Sequence, residues 1–294
     1  MKNILKPLRC LVIMAVIVSL TLGMAAVSLA DWDPGDCYKM HYPQLPDLET
    51  GIDVWTNIGV MVADDFTCIE SGNITDIHIW GSYLADYKCE SANFTLSIWP
   101  DVPAGEGGID FSRLGDQTLW SYTFEPGEYT ESLYAIALTE SFYNPLSGEI
   151  VGPDTEVWQY NFDIDPVDAF YQEEGNIYWL SVDMVPIGCV GSVAAFGWKT
   201  SLDHHQDYAV CLYLIEPGMT WQPIFAPVDL AFVLTTDTGT IILEKQTDPD
   251  GDPQSFDILD AGGVLVTSLS DNGTCQLDCQ QAGTYTFSEA VPDC

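Results

Sequence analysis

Basic residues are nearly missing from this chain: eight Lys and Arg stand against 44 Asp and Glu in 294 residues. Three of the eight, Lys2, Lys6 and Arg9, fall in the first thirty positions, so the segment from Asp31 onward has five cations for all 44 acids. Those five, Lys39, Lys88, Arg113, Lys199 and Lys245, are scattered singly. Nucleic acid needs clustered cations to displace its counterions, so it is excluded as a partner, and the same sign of charge argues against anionic membrane surfaces. After Ala30 there is no apolar run near the ~20 residues that a membrane helix requires, and no membrane insertion is expected once a leader is removed. Helical periodicity of ten residues or more is also lacking. No G-x-S-x-G turn, P-loop or dinucleotide fingerprint occurs, which removes the reaction classes built on them. With so many carboxylates, some pair will fall at a glycosidase-like distance by chance, so Asp64, Asp65 or Glu156 cannot be nominated on spacing.

What is present begins with a leader. Lys2, Lys6 and Arg9 precede an apolar run that ends in Ser28-Leu29-Ala30, the pattern of a signal peptide over residues 1–30, and it predicts a secreted or cell-surface protein. Cys10 leaves with it, and the remaining eight of nine cysteines are an even number, as disulfides in an exported chain require. Neighbouring strands make Cys68 with Cys89 and Cys189 with Cys211 the first pairs to expect. Cys275, Cys279 and Cys294 gather in the tail, with Cys37 available to one of them. A zinc site on Cys275 and Cys279 lacks a second pair or a nearby histidine.

Hydrophobic residues make up 47% of the chain and aromatics 12%, too many for a disordered acidic protein. From Val54 onward they recur with period two. Phe94, Leu96 and Ile98 alternate with Thr95, Ser97 and Trp99, and Trp120, Tyr122 and Phe124 with Ser121 and Thr123. Turn-rich segments such as Glu125-Pro126-Gly127 and Asn144-Pro145-Leu146-Ser147-Gly148 separate such runs. The expected fold is all-β: an antiparallel β-sandwich or jelly roll over 31–237, then a small β-domain over 238–294. A short helix is conceivable at 167–172. Several strands are apolar on both faces, which predicts long loops covering the outer ones.

Four groups of residues could carry chemistry. Trp80, Trp99 and Trp198, drawn from a pool that also holds Trp120, Trp158, Trp179 and Trp221, could form a sugar-stacking platform, although alternating aromatics also serve packing. Asp203-His204-His205-Gln206-Asp207 sets imidazoles beside carboxylates, suited to a metal or to acid-base work, with His204 foremost and His41 or His78 needed from elsewhere. Asp248, Asp250 and Asp252 alternate around Gly251 and could turn their oxygens onto calcium, or simply make a turn. Asn73, Asn93 and Asn272 head glycosylation sequons.

Two stretches of likeness follow from particular motifs. The tail, through Leu243-Glu244-Lys245-Gln246-Thr247-Asp248, Ser255-Phe256-Asp257-Ile258 and Ala282-Gly283-Thr284-Tyr285-Thr286-Phe287, resembles the prealbumin-like domains of bacterial and archaeal surface proteins. That resemblance implies a small sandwich serving as stalk or spacer. Lys245 and Glu289 match the lysine and acid of a Lys-to-Asn isopeptide bond found in some such domains, but the strand that would bring the Asn is absent, so no bond is expected there. Residues 50–238 resemble an uncharacterised family of secreted bacterial and archaeal proteins through Ala63-Asp64-Asp65-Phe66, Ile77-His78-Ile79-Trp80-Gly81 and Phe196-Gly197-Trp198-Lys199-Thr200. Together these readings lead to the expectation of a noncatalytic module that binds a polysaccharide or cell-envelope component or acts as a structural element. A secreted, glycan-directed hydrolase is the alternative.

Overall fold

A computed structural model describes residues 32–57, 59–145, 147–189, 194–213, 220–224, 227–248 and 250–290. The proposed leader and Cys294 lie outside these residues. The first strands are β1 (Ile52–Trp55), β2 (Val60–Thr67), β3 (Gly72–Ile74), β4 (Asp76–Tyr83), β5 (Ser91–Val102), β6 (Arg113–Leu114) and β7 (Trp120–Phe124). Next come β8 (Thr130–Asn144), β9 (Glu149–Asp163), β10 (Phe170–Gln172), β11 (Ile177–Ile187), β12 (Phe196–Ser201), β13 (Val210–Tyr213) and β14 (Gln222–Pro223). The last are β15 (Asp229–Leu230), β16 (Phe232–Thr235), β17 (Thr238–Glu244), β18 (Phe256–Leu259), β19 (Leu265–Leu269), β20 (Thr274–Gln281) and β21 (Ser288–Ala290).

The architecture is an all-β sandwich. One sheet runs β15-β12-β1-β8-β9-β4-β16, and the other β14-β13-β2-β11-β5-β6 with β7 also on β5. Period-two patterning decides what lies between them. Phe94, Leu96 and Ile98 of β5, Val60, Val62 and Phe66 of β2, and Leu180, Val182 and Met184 of β11 meet Ile77 and Ile79 of β4, Tyr160 and Phe162 of β9, and Phe232 and Leu234 of β16 in one buried cluster. Each such side chain contributes roughly 2 kcal/mol by leaving water. The opposite parity of β4 is buried as well, because the N-terminal segment crosses it. Trp32 packs edge-on against Trp80 with centroids 6.1 Å apart, and Gln159 donates to the Trp32 carbonyl.

The first sheet also closes on itself. Besides its other neighbours, β12 pairs with β4 through Phe196↔Tyr83, Gly197↔Ser82 and Trp198↔Gly81. Hydrogen-bonded pairing therefore runs round a circuit β1-β12-β4-β9-β8 and back to β1, whose pairing with β8 is parallel.

Two disulfides form: one corrects the expected pairs Cys68–Cys89 and Cys189–Cys211, and the other joins Cys37 to a tail cysteine, as expected. Cys89 joins Cys189, with Cα atoms 5.7 Å apart, and Cys37 joins Cys279 at 5.5 Å. Register explains the first: β5 and β11 pair up to Ser91↔Ile187, and two further steps set Cys89 opposite Cys189. Cys68 follows Thr67, which faces Ile177 at the other end of β11, roughly 40 Å away at ~3.3 Å per residue. Cys211 pairs with Val62 in mid-sheet, out of reach of Cys189. Cys68 and Cys211 are buried thiols, and Cys275 has no partner among the described residues.

After Thr236 the packing thins. A two-stranded β17-β20 ribbon and a three-stranded β19-β18-β21 sheet form, yet among the described residues the three hydrophobic clusters lie before residue 236 and Leu269 alone is a buried hydrophobic residue of the tail. The Cys37–Cys279 bond ties this segment to the start of the sandwich. The helix expected at 167–172 is instead a turn leading into β10, which pairs with β3. Among the described residues no helix is long and apolar enough to cross a membrane.

Candidate functional site

The outward parity of the second sheet carries a row of aromatics. Trp99 of β5 lies directly opposite Trp179 of β11, and Ser97 opposite Ser181. The indole N–H of Trp99 donates to Ser181 Oγ at 2.9 Å, and that of Trp179 to Asp101 at 2.9 Å, so both rings are oriented by hydrogen bonds. Trp221 stands edge-on to Trp99 with centroids 6.2 Å apart. Between them opens a cleft of about 400 Å³, completed by Arg113, Leu114, Asp116, Leu212 and Thr220. Trp179 is fully buried, whereas Trp99 keeps part of its surface in the cleft. Arg113 donates to the Glu106 carbonyl at 3.2 Å through Nη2, leaving its Nη1 without a protein partner. An apolar ring face beside a guanidinium and a carboxylate matches the two sides of a sugar, its C–H face and its hydroxyls.

A second constellation gathers on the loop between β12 and β13. His204 Nδ1 lies 2.7 Å from Asp229, a carboxylate almost wholly buried on β15, which also accepts the His205 N–H at 2.9 Å. His204 stacks on Tyr208, centroids 4.3 Å apart, and lines a cleft of about 330 Å³ with Asp47, Gly51, Thr200 and Ser201. His205 turns away to Thr67 Oγ1 at 2.9 Å and lies face to face with His41 at 3.4 Å. Burial, then the neighbouring His205, holds His41 down to about 3, so it stays neutral. Behind the dyad, Asp64 accepts from Gln44 and the Leu230 N–H, and burial followed by Asp229 pushes its carboxyl well up. Asp65 is pushed up to about 10 by burial, then by Asp64 and Asp207.

The third group is buried outright. Every strand of the closed circuit supplies it with a polar side chain: Lys199 from β12, Asp53 from β1, Glu140 from β8, Asp154 from β9 and Ser82 from β4. Lys199 Nζ lies 2.6 Å from Glu140 and 3.5 Å from Asp53. Asp53, Glu140 and Asp154 each offer an oxygen within 4.8 Å of the others, the one such grouping of possible metal ligands among the described residues. Gly51 separates this cluster from the His204 cleft, since a Cβ there would stand 3.0 Å from Lys199 Nζ.

Desolvation dominates these ionisations. It raises Asp53 to about 6 despite Lys199, Glu140 to about 7 despite Lys199, and Asp154 to about 8, aided by Asp53 and Glu140. Glu140 and Asp154 thus hold protons that the unfolded chain has released. Their contribution to stability is complete below the unfolded values near 4 and is lost as pH rises through about 7 and 8. His41 acts oppositely, losing its contribution as pH falls from 6.5 toward 3. Thermal unfolding midpoints should therefore be higher at about pH 5.5 than at about pH 8.5. A midpoint that rises across that interval would contradict the assignment.

Residues 40–235 match the model of a family described as Domain of unknown function (DUF7901). The chain belongs to that family. No curated protein matches it. Within the DUF7901 domain, the tryptophans nominated from sequence separate sharply. Trp80 and Trp198 are 0% exposed, which removes them from any binding platform: each packs in the core, and Trp198 donates to the Ala231 carbonyl. Trp99 alone of the three reaches a cleft. His204 meets the Asp229 carboxylate, whereas His41 stacks on His205 rather than joining His204, and His78 goes elsewhere, bonded to Asn161 and Asp76.

Outside the DUF7901 domain, the loop N–H groups of Thr247 and Gly251 are held by Asp271, and Asp252 caps Gln254. Asp248, Asp250 and Asp252 are not brought to one centre among the described residues. Asn272 is exposed in a turn, whereas Asn73 and Asn93 lie half-buried within paired strands. Sequence reasoning had Trp221 in its pool of tryptophans without setting it beside Trp99, and missed the Asp53-Glu140-Asp154-Lys199 group altogether. The only signal for the latter was a lone lysine inside an apolar strand.

Proposed function

We propose that this is a secreted or cell-surface, noncatalytic module that holds a polysaccharide chain of the cell envelope in the Trp99–Trp221 cleft. The single observation that carries the reading is the cleft itself: a partly exposed indole fixed by a hydrogen bond, with Arg113 and Asp116 at hand for hydroxyls. Two disulfides and the leader pattern support export. The short sheets after Thr236, resembling prealbumin-like domains, would serve as a spacer. A panel of envelope polysaccharides, presented to the purified protein with calcium and again with chelator, tests this. Saturable binding is expected. Retention with chelator would assign calcium at Asp248, Asp250 and Asp252 no part in it, and absence of binding throughout would leave only the structural role.

A second reading has its own observation. His204, oriented by a buried Asp229 and bordering a separate cleft, has the geometry of a general base, which favours a glycan-directed hydrolase. Release of reducing ends from a bound polysaccharide, abolished by His204→Ala with binding unchanged, would favour it over the noncatalytic module.

A further inference from the structure

The buried group on the closed circuit is placed for a reaction within the protein. From its geometry we infer that Lys199 and Asp53 condense to an internal amide, a covalent cross-link between strands β12 and β1. Four observations carry this. Lys199 and Asp53 face each other directly in the β1-β12 register. Both side chains are 0% exposed, with Nζ 3.5 Å from an Asp53 carboxylate oxygen. Glu140 stands 2.6 Å from the same nitrogen, in position to accept its proton. Neither oxygen of Asp53 has a hydrogen-bond partner outside this group, so losing one breaks no other bond of the fold.

The chemistry balances without any co-reactant. Glu140 passes the proton it holds to Asp53, whose oxygen lies within 4.8 Å, and takes one from the Lys199 ammonium, and the free amine attacks Cγ of the now uncharged Asp53 carboxyl. A tetrahedral adduct forms; the nitrogen loses its second proton by way of Glu140 to one Asp53 oxygen, which leaves as water. An N–C bond has formed, a C–O bond has broken, and Glu140 is protonated again, as at the start. Burial favours each requirement, because it stabilises the uncharged carboxyl that amines can attack and excludes the bulk water that would reverse the step. Two reactive groups held by adjacent strands also meet without the entropic cost of encounter, an advantage worth several orders of magnitude in rate. The released water has a side to leave by, since Gly51 lines the His204 cleft and a Cβ on it would stand 3.0 Å from Nζ. The inference is independent of what the Trp99 cleft binds.

Intact-mass spectrometry of the purified, reduced and denatured protein tests it, with the N-terminus read by sequencing so that the calculated mass is fixed. The expected mass is one water below the sequence, and tandem spectra of a digest should show the Lys199 peptide joined to the Asp53 peptide. Glu140→Gln, which keeps the shape and removes the proton carrier, should retain the full mass. A full-mass wild-type protein after prolonged incubation at neutral pH would overturn the inference, as would a full mass accompanied by a stoichiometric divalent cation. A link to Glu140 in place of Asp53 would overturn the assignment of roles.

Discussion

Relative to the chain in which Lys199 and Asp53 are not yet joined, replacing Lys199 with methionine is expected to destabilise the protein by about 3–5 kcal/mol, the cost of leaving buried carboxylates without their cation. Among the described residues Lys199 is the only basic side chain in contact with the group, with Glu140 and Asp53 as its ion partners and Asp154 close by. Methionine fills a similar volume, so the loss reports charge more than packing. The penalty should shrink in mildly acidic buffer, where Asp154 and Glu140 take up protons and no longer need a counter-charge. Urea unfolding at about pH 8 and pH 5 measures both effects. A variant within about 1 kcal/mol of wild type at the higher pH would show that the cluster is already neutral without Lys199.

Removing the Cys89–Cys189 bond with paired alanines is expected to cost about 2–5 kcal/mol. The bond closes a loop with a sequence separation of 100 and locks the far end of the β5-β11 ladder, next to the outermost pair Ser91↔Ile187. In the unfolded chain that closure removes many conformations, which is where most of the effect arises. Cys68→Ser and Cys211→Ser are the controls, because these thiols are buried and unbonded and crosslink nothing. A paired variant no less stable than wild type would mean that the β5-β11 ladder holds its end without the bond.

Strand identity was legible in the chain because one parity of β5 and β11 is apolar without interruption, and that of β2 is broken only at Asp64; a sheet with one buried face writes its register into that alternation. Asp76-Ile77-His78-Ile79-Trp80 was less readable. Its second face is covered by the segment at Trp32, a contact 48 residues distant whose existence no local pattern records. The same limit explains the disulfides. Which cysteines meet depends on where Ser91 and Ile187 fall in the ladder, and register between strands separated by some ninety residues is set by the whole sheet. His204 was recognisable from its motif, but its partner Asp229 reaches it only because β15 pairs with β12 through Ser201↔Asp229. The group around Lys199 was invisible for a different reason. Its members come from five strands, and each alone reads as one polar residue in a strand, with no spacing to connect them.

Titration of an envelope polysaccharide that binds the wild-type protein against Trp99→Ala, followed calorimetrically beside His204→Ala, tests the binding cleft most directly. Removing a central tryptophan from such a contact typically costs 2 kcal/mol or more, so Trp99→Ala should bind at least ~30-fold more weakly while His204→Ala binds as wild type. Equal affinity of Trp99→Ala and wild type, with the loss falling on His204→Ala instead, would contradict the Trp99–Trp221 cleft as the binding site and move it to the His204–Asp229 cleft.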